Sequence, residues 1–264
     1  MVRSPFDLEG KVALVTGATG TLGRAIAKEL ASNGANLAIA GRNLDKLDDL
    51  REEIVSDHKR KCVRVSVDVT REDQVQTMVS DVVREFGRID ILVAGTGSNL
   101  LGPAKDYPLK EFERLLQINA LGVFLCNREV GKVMIEQKKG KIVNISSIRG
   151  EFATSANAVA YSASKAAVNM ITKSLACEWA GYNITVNAVA PAMVGSGMHM
   201  SSPDGEKTTV DPKVLEGIAK RTPMKRLATP EDIVGTVLFL SSAASDFVTG
   251  QVIYVDGGAS VWAA

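Results

Sequence analysis

The sequence predicts an α/β fold: a single doubly wound domain built on a mostly parallel, seven-stranded sheet with helices on both faces. Three observations carry this. Short apolar runs alternate with helical stretches along nearly the whole chain. The runs are continuous rather than alternating in polarity, as expected of strands covered on both sides. No linker rich in Pro, Gly or Ser interrupts the 264 residues, so 1–264 is expected to be one domain.

Each element follows from local pattern. Lys11 to Thr16 reads as a buried strand, and Leu22 to Asn33 as a helix stopped by Gly34. Asn36 to Ala40 is a second strand, followed by a charged helix from Leu44 to Lys59. Cys62 to Val67 is a third strand, closing on Asp68-Val69-Thr70, and Arg71 to Phe86 is a helix ended by Gly87. Ile89 to Val93 is a fourth strand. Lys110 to Ile135 reads as one long helix with Gly122 and Gly131 as blemishes. Lys141 to Ile145, Ile184 to Val189 and Val252 to Val255 complete the strands, with helices over Ala160 to Ala180 and Asp232 to Leu240. Pro191 is expected to end the sixth strand. The stretch 195–221 fits no such rhythm. It is read as a binding loop, with Met193, Met198 and Met200 as adaptable apolar surface and Ser201, Ser202, Lys207 and Lys220 as polar options.

Composition narrows the function classes. Lys and Arg number 31 against 30 Asp and Glu, a formal charge of +1, which makes no case for nucleic acid. The three cysteines, Cys62, Cys126 and Cys177, form no CxxC and do not suggest a disulfide framework. No apolar run reaches the length of a membrane span, and the first residues lack the apolar core of a signal peptide. A cytoplasmic protein is expected, with no membrane partner. The two histidines have no ligand cluster around them, so no metal is expected: His58 reads as solvated, His199 as a loop residue.

The first strand runs into TGATGTLG, with Gly17, Gly20 and Gly23 evenly spaced. Glycine lets a backbone approach a pyrophosphate, and the start of the next helix offers free N–H groups. A tight turn without a ligand would also use glycines. In a doubly wound sheet the second strand ends near an adenosine ribose; an acid there favours NAD(H), an arginine NADP(H). The sequence there is IAGRN, where Arg42 and Asn43 follow Gly41 and no acid occurs before Asp45. NADP(H) is therefore favoured and NAD(H) kept open. Asp68, just past the third strand, could accept from an adenine amino group or cap the helix behind it.

YSASK puts Tyr161 and Lys165 four residues apart, hence on one face if helical. An ammonium beside a phenol stabilises the phenolate, making a usable general acid and base. A surface Tyr–Lys pair would look the same. NISS ends the fifth strand with Ser147, on the edge where a ligand would sit, and Asn119 interrupts the apolar LLQINALGVF. A buried asparagine there needs partners, through water, backbone or packing.

Taken together, TGATGTLG, DVT, INALGVF, KIVNISS, YSASK and DFVTGQVIYVDGG resemble the short-chain dehydrogenase/reductase family from about Gly10 to Gly258. The closing segment is most similar to gluconate and other sugar or polyol dehydrogenases. The resemblance implies a Rossmann-like domain and a tetrad of Asn119, Ser147, Tyr161 and Lys165. It implies that Tyr161 exchanges a proton with the substrate oxygen, that Ser147 hydrogen-bonds that oxygen, and that Lys165 holds the nicotinamide ribose and lowers the Tyr161 pKa. Asn119 would hold a relaying water. The implied cofactor lining is Gly17, Thr19, Gly20, Thr21, Leu22, Gly23, Arg42, Asn43, Asp68, Val69, Ala94, Gly95, Thr96, Pro191 and Val194, together with Tyr161 and Lys165 themselves. Ala153, Thr154 and Ser155 would line the opposite wall.

The implied activity is hydride transfer between NAD(P)(H) and a small carbonyl or secondary alcohol, such as a sugar, polyol or keto acid. The alternatives are a 3-oxoacyl thioester reductase, a dehydrating or epimerising relative, and a non-catalytic nucleotide-binding scaffold or sensor. A homotetramer or homodimer paired through the long helices is expected. The sequence departs from the family pattern at Thr21, which replaces a glycine, and at Ala94-Gly95-Thr96-Gly97, which replaces NNAG.

Overall fold

A computed structural model describes residues 4–153, 157–195, 199–201, 207–209 and 211–262, with backbone alone considered for 199–201 and 207–209. The strands Val12–Thr16 (β1), Asn36–Gly41 (β2), Cys62–Ser66 (β3), Ile91–Ala94 (β4), Gly140–Ile145 (β5) and Ile184–Pro191 (β6) come in chain order. A short antiparallel pair, His199–Ser201 (β7) and Lys207–Thr209 (β8), precedes the last strand, Val252–Val255 (β9). The main sheet has seven strands in the order β3-β2-β1-β4-β5-β6-β9, and every pairing in it is parallel.

Parallel pairing places all seven C-terminal ends on one rim. The order reverses between β1 and β4, which start the two halves. Ligands of open α/β sheets bind in the crevice outside the strand ends at such a reversal.

The continuous apolar runs serve two cores at once. Ala13 and Val15 of β1 pack into one cluster with Thr21–Ser32 (α1), Leu44–His58 (α2) and Pro230–Ser241 (α8). Val12 and Leu14 pack into the opposite cluster with Glu72–Phe86 (α3), Gly122–Gln137 (α5) and Val159–Trp179 (α6). Period-two side-chain alternation with both faces covered is why these strands carry no polar face.

Four expectations need correction. The helix read over 110–135 is not continuous: Leu109–Leu116 (α4) leads into a π turn, Gln117–Leu121, before α5 begins at Gly122. Gly131 is no blemish, because a Cβ there would lie 2.5 Å from the Trp179 ring of α6. The stretch 195–221 is not all loop. It contains β7, β8 and Pro212–Arg221 (α7), started by Asp211, whose side chain accepts from the Lys213 N–H at 2.8 Å, and by Pro212 in the first turn. His58 is not solvated: it is half-buried, and its Nε2 is enclosed without a hydrogen-bond partner among the described residues.

Candidate functional site

The glycine turn lies between β1 and α1. Gly17 has φ +70°, and a Cβ on it would meet the Gly95 carbonyl at 2.7 Å. A Cβ on Gly23 would meet the Gly17 carbonyl at 2.2 Å. Gly20 is different. It caps α1 in an extended conformation, with nothing closer than 3.5 Å to a Cβ and no side-chain cap on the helix. The first-turn N–H groups of a helix have no partner within it. Here they face the rim, and Thr21 is exposed in that turn rather than wedged against backbone. The turn thus fits a dinucleotide pyrophosphate with Thr21 in place.

The rest of the expected cofactor edge assembles on the same rim. Thr19 lies against Gly41 at the end of β2, 3.6 Å from where a Cβ would be. Arg42 is exposed there, with no hydrogen bond or ion pair among the described residues. Asn43 uses its side chain to cap α2, accepting from the Lys46 N–H at 2.9 Å. Asp68 accepts from the Thr70 N–H and hydroxyl at 3.0 and 2.8 Å through one oxygen, leaving the other for a ligand. Burial pushes its carboxyl up, but the Thr70 hydrogen bonds and the Arg42 and Arg71 guanidinium groups outweigh this and hold it below the usual range. Val69 is buried behind it, against Gly122.

Past β4, Ala94 and Gly95 crowd the β1 carboxyl end, and a Cβ on Gly95 would be 2.9 Å from the Thr16 carbonyl. The Gly95 N–H donates to Thr16 Oγ1 at 3.2 Å. Thr96 follows on this close approach, next to Gly17. Gly95 therefore ties the two central strands through its backbone, in the stretch that replaces NNAG. Beyond Pro191, Met193 and Gly195 are clamped to Ala228, which leaves the N–H and carbonyl of Val194 without a partner among the described residues.

The four tetrad residues come together on the β4–β5 side of the reversal. Tyr161 and Lys165 lie one turn apart in α6, with Lys165 Nζ 5.8 Å from the Tyr161 ring centre. Lys165 is 4% exposed, and Nζ donates to the Ile145 carbonyl at 2.8 Å. Its burial draws the pKa down to about 8, still a cation at neutral pH. The Ser147 hydroxyl lies near enough to the Tyr161 phenol to work against the rise in its pKa. Gly97 sits where a Cβ would be 3.5 Å from Lys165 Nζ and 3.6 Å from Asn119 Oδ1, so Lys165 and Asn119 share one wall.

One chemical expectation changes. The phenol is not pulled toward neutrality: burial raises the Tyr161 pKa, and the opposing groups are the Ser147 hydroxyl and the Arg149 guanidinium rather than Lys165, whose ammonium is turned to the Ile145 carbonyl. The Asn119 side chain is held by protein groups, with one lone pair of Oδ1 left over. It accepts from the Ser98 N–H at 2.7 Å and donates to the Ser98 carbonyl at 2.8 Å and to Ser164 Oγ at 2.9 Å. It braces the loop after β4 against α6, and the π turn is what carries it there.

Sequence reasoning missed a polar network beneath the tetrad. Asn127 and Asn144 exchange side-chain hydrogen bonds at 2.8 and 3.2 Å, and Asn144 also donates to Thr172 at 3.0 Å. These three buried residues tie β5 to α5 and α6 directly below Ser147, and breaking such a bond costs about 1–3 kcal/mol. The signal was an asparagine inside the otherwise apolar strand KIVNI. The expected opposite wall at Thr154 and Ser155, and loop residues Met198 and Ser202, lie outside the described residues, as do the side chains of His199, Met200, Ser201 and Lys207. Met193 lines a separate cavity of about 150 Å³ with Ile218 and Thr222, between the end of β6 and α7.

Comparison with known proteins agrees with this geometry. The family model described as enoyl-(acyl carrier protein) reductase matches residues 17–260. A 2-dehydro-3-deoxy-D-gluconate 5-dehydrogenase of Formosa agariphila is 38% identical over 96% of this chain and 94% of its own. A gluconate 5-dehydrogenase of Gluconobacter oxydans is 36% identical over 97% of both chains. The solved structure of a gluconate 5-dehydrogenase from Burkholderia cenocepacia, in complex with NADP and tartrate, aligns with TM-score 0.88 at 32% identity over 98% of both chains.

Proposed function

Because the chain belongs to the short-chain dehydrogenase/reductase family, and is therefore an NAD(P)-dependent oxidoreductase, we propose that it interconverts a small polar ketone and its secondary alcohol, of the sugar, polyol or keto-acid class, with NADP(H) as the preferred cofactor. The observation that carries the reading is the convergence of Ser147, Tyr161 and Lys165 on one wall of the crevice whose other end is the glycine turn.

A bound nicotinamide supplies the hydride in reduction and accepts it in oxidation. The protein handles the proton and the oxygen. Tyr161 gives its phenol proton to the carbonyl oxygen as the carbon is reduced, or takes it from the alcohol in the reverse direction. The Ser147 hydroxyl donates to the same oxygen and stabilises the charge that develops there. Lys165, held at the Ile145 carbonyl one turn from Tyr161, lies where the nicotinamide ribose would be held. The N–H and carbonyl of Val194, without a partner among the described residues, suit a carboxamide. Support for NADP(H) comes from Arg42, a free guanidinium at the end of β2 with Thr19 and Gly41 leaving room beside it.

Purified protein should oxidise NADPH in the presence of a panel of ketoses and keto acids. Tyr161→Phe should keep the fold and cofactor binding and lower kcat by about 10²–10⁴-fold. Near-normal turnover in that variant would defeat the proton-transfer assignment. In fluorescence titrations NADPH should bind more tightly than NADH, and Arg42→Ala should erase the difference; an equal loss for both cofactors would point to NAD(H).

A further inference from the structure

Arg149 is unused by the reading above, yet it stands inside the site. It lies two residues past Ser147 on the short helical turn Ile148–Gly150, and its own N–H donates to Ser147 Oγ at 3.2 Å. The turn is pressed onto α6 at Gly150, where a Cβ would be 2.8 Å from both the Lys165 carbonyl and Asn169 Nδ2. The position of Arg149 is therefore set by the same packing that sets Ser147 and Lys165. Its side chain is half-buried and has no hydrogen bond and no ion pair among the described residues. Burial presses its pKa below the ordinary value, and among the described residues the opposing influence is Tyr161. Glu151, two residues on, is exposed and acts on Tyr254 instead.

A guanidinium taken partly out of water without an acid beside it is unfavourable, and it stays ionised because it cannot give up its proton at any ordinary pH. Such a group is satisfied by a ligand anion. Topology excludes the cofactor phosphates as that anion. The pyrophosphate turn and Arg42 lie at β1 and β2, whereas Arg149 follows β5, on the side of β6 and β9.

We propose that Arg149 anchors a carboxylate of the substrate beside the Tyr161 phenol, so that the enzyme acts on hydroxy and keto acids in preference to neutral sugars or polyols. The assignment rests on the oxidoreductase reading and narrows its substrate class. A planar carboxylate can take two parallel hydrogen bonds from the guanidinium fork, which fixes the orientation of the carbonyl as well as its affinity.

The test compares keto acids with their methyl esters, matched except for charge, in wild type, Arg149→Gln and Arg149→Lys, following NADPH and NADH oxidation. Because the Arg149 side chain makes no bond among the described residues, both variants should fold, as circular dichroism will verify. Wild type should favour the acids by about tenfold or more in kcat/KM. Arg149→Gln should abolish that preference, chiefly through KM for the acids. Arg149→Lys should restore part of it, keeping the charge without the fork. An acid preference that survives in Arg149→Gln, equal losses on acids and esters, or a wild-type preference for esters would overturn the assignment and leave the oxidoreductase reading standing. Silence of the wild-type enzyme on every acid and every ester would sink both together.

Discussion

Burial lowers the Lys165 ammonium to a pKa of about 8 from an ordinary 10.5, and this gap gives the folded chain a pH signature. Below pH 8 both the folded and the unfolded lysine carry the proton, so the group adds no pH dependence. Between about 8 and 10.5 only the unfolded chain keeps the proton, and stability rises with pH. Tyr161 acts in the opposite sense. Its phenol is held above its ordinary value of 10.0, so its contribution is intact below pH 10 and is lost as pH climbs further. The protein without cofactor should therefore show a melting temperature that climbs from pH 8 to 10 relative to Lys165→Met. Parallel melting curves for the two proteins across that range would show the ammonium to be better solvated than its surroundings imply. The pairing of Tyr161 with Lys165 was legible in the sequence because it is local: two positions on one helical turn. The influence of Arg149 on Tyr161 was not, since it depends on how a loop folds back onto α6, and no spacing rule encodes that. The same holds for Asn119. The sequence marked it as a buried amide in need of partners, but could not show that these are Ser98 and Ser164.

At the scale of elements, the three glycines of TGATGTLG look equivalent in sequence and differ in space. Gly23→Ala should put a methyl group into the Gly17 carbonyl and destabilise the fold by about 1–3 kcal/mol, read as a lower denaturation midpoint. Gly20→Ala meets no protein atom closer than 3.5 Å, in a backbone conformation alanine accepts. Its midpoint should be unchanged, with any loss confined to dinucleotide affinity. Equal destabilisation of both variants would contradict the packing described for this turn. The strands of the main sheet were legible to within two residues because continuous apolar runs between glycines leave few other assignments, whereas β7 and β8 were not seen. Helix α8 begins at Pro230 rather than Asp232 because Thr229 precedes it and the Asp232 carboxylate accepts from the Thr229 N–H at 2.8 Å. The π turn was hidden: one extra residue per turn alters the apolar spacing of LLQINALGVF too little to stand out. α7 was missed although Asp211-Pro212 is a good start signal, because the polar stretch before it masked the short amphipathic run behind it.

Across the whole molecule, the order of the sheet follows from its alternating chemistry, while the molecule's assembly follows from what it leaves uncovered. Leu109, Leu121 and Met170 are 70%, 54% and 60% exposed, and Leu121 and Met170 lie on the π turn and α6, within the stretches expected to pair copies. We expect a closed homo-oligomer through this surface. Sedimentation equilibrium should give a multiple of the 28.1 kDa chain, and Met170→Lys combined with Leu121→Lys should shift it toward the single-chain mass. A wild-type protein that sediments as one chain at micromolar concentration would exclude the pairing.

The reversal at the middle of the sheet also governs how the molecule can be made. β1 finds one neighbour in β2, but its other edge waits for β4, with Ala13 aligned to Ile91. During synthesis the first strand therefore leaves the ribosome long before its second edge can close, and that apolar edge stays open while three crossover helices emerge. An interruption of translation in that interval would leave a half-sheet with an open apolar edge, the kind of edge that pairs with other chains.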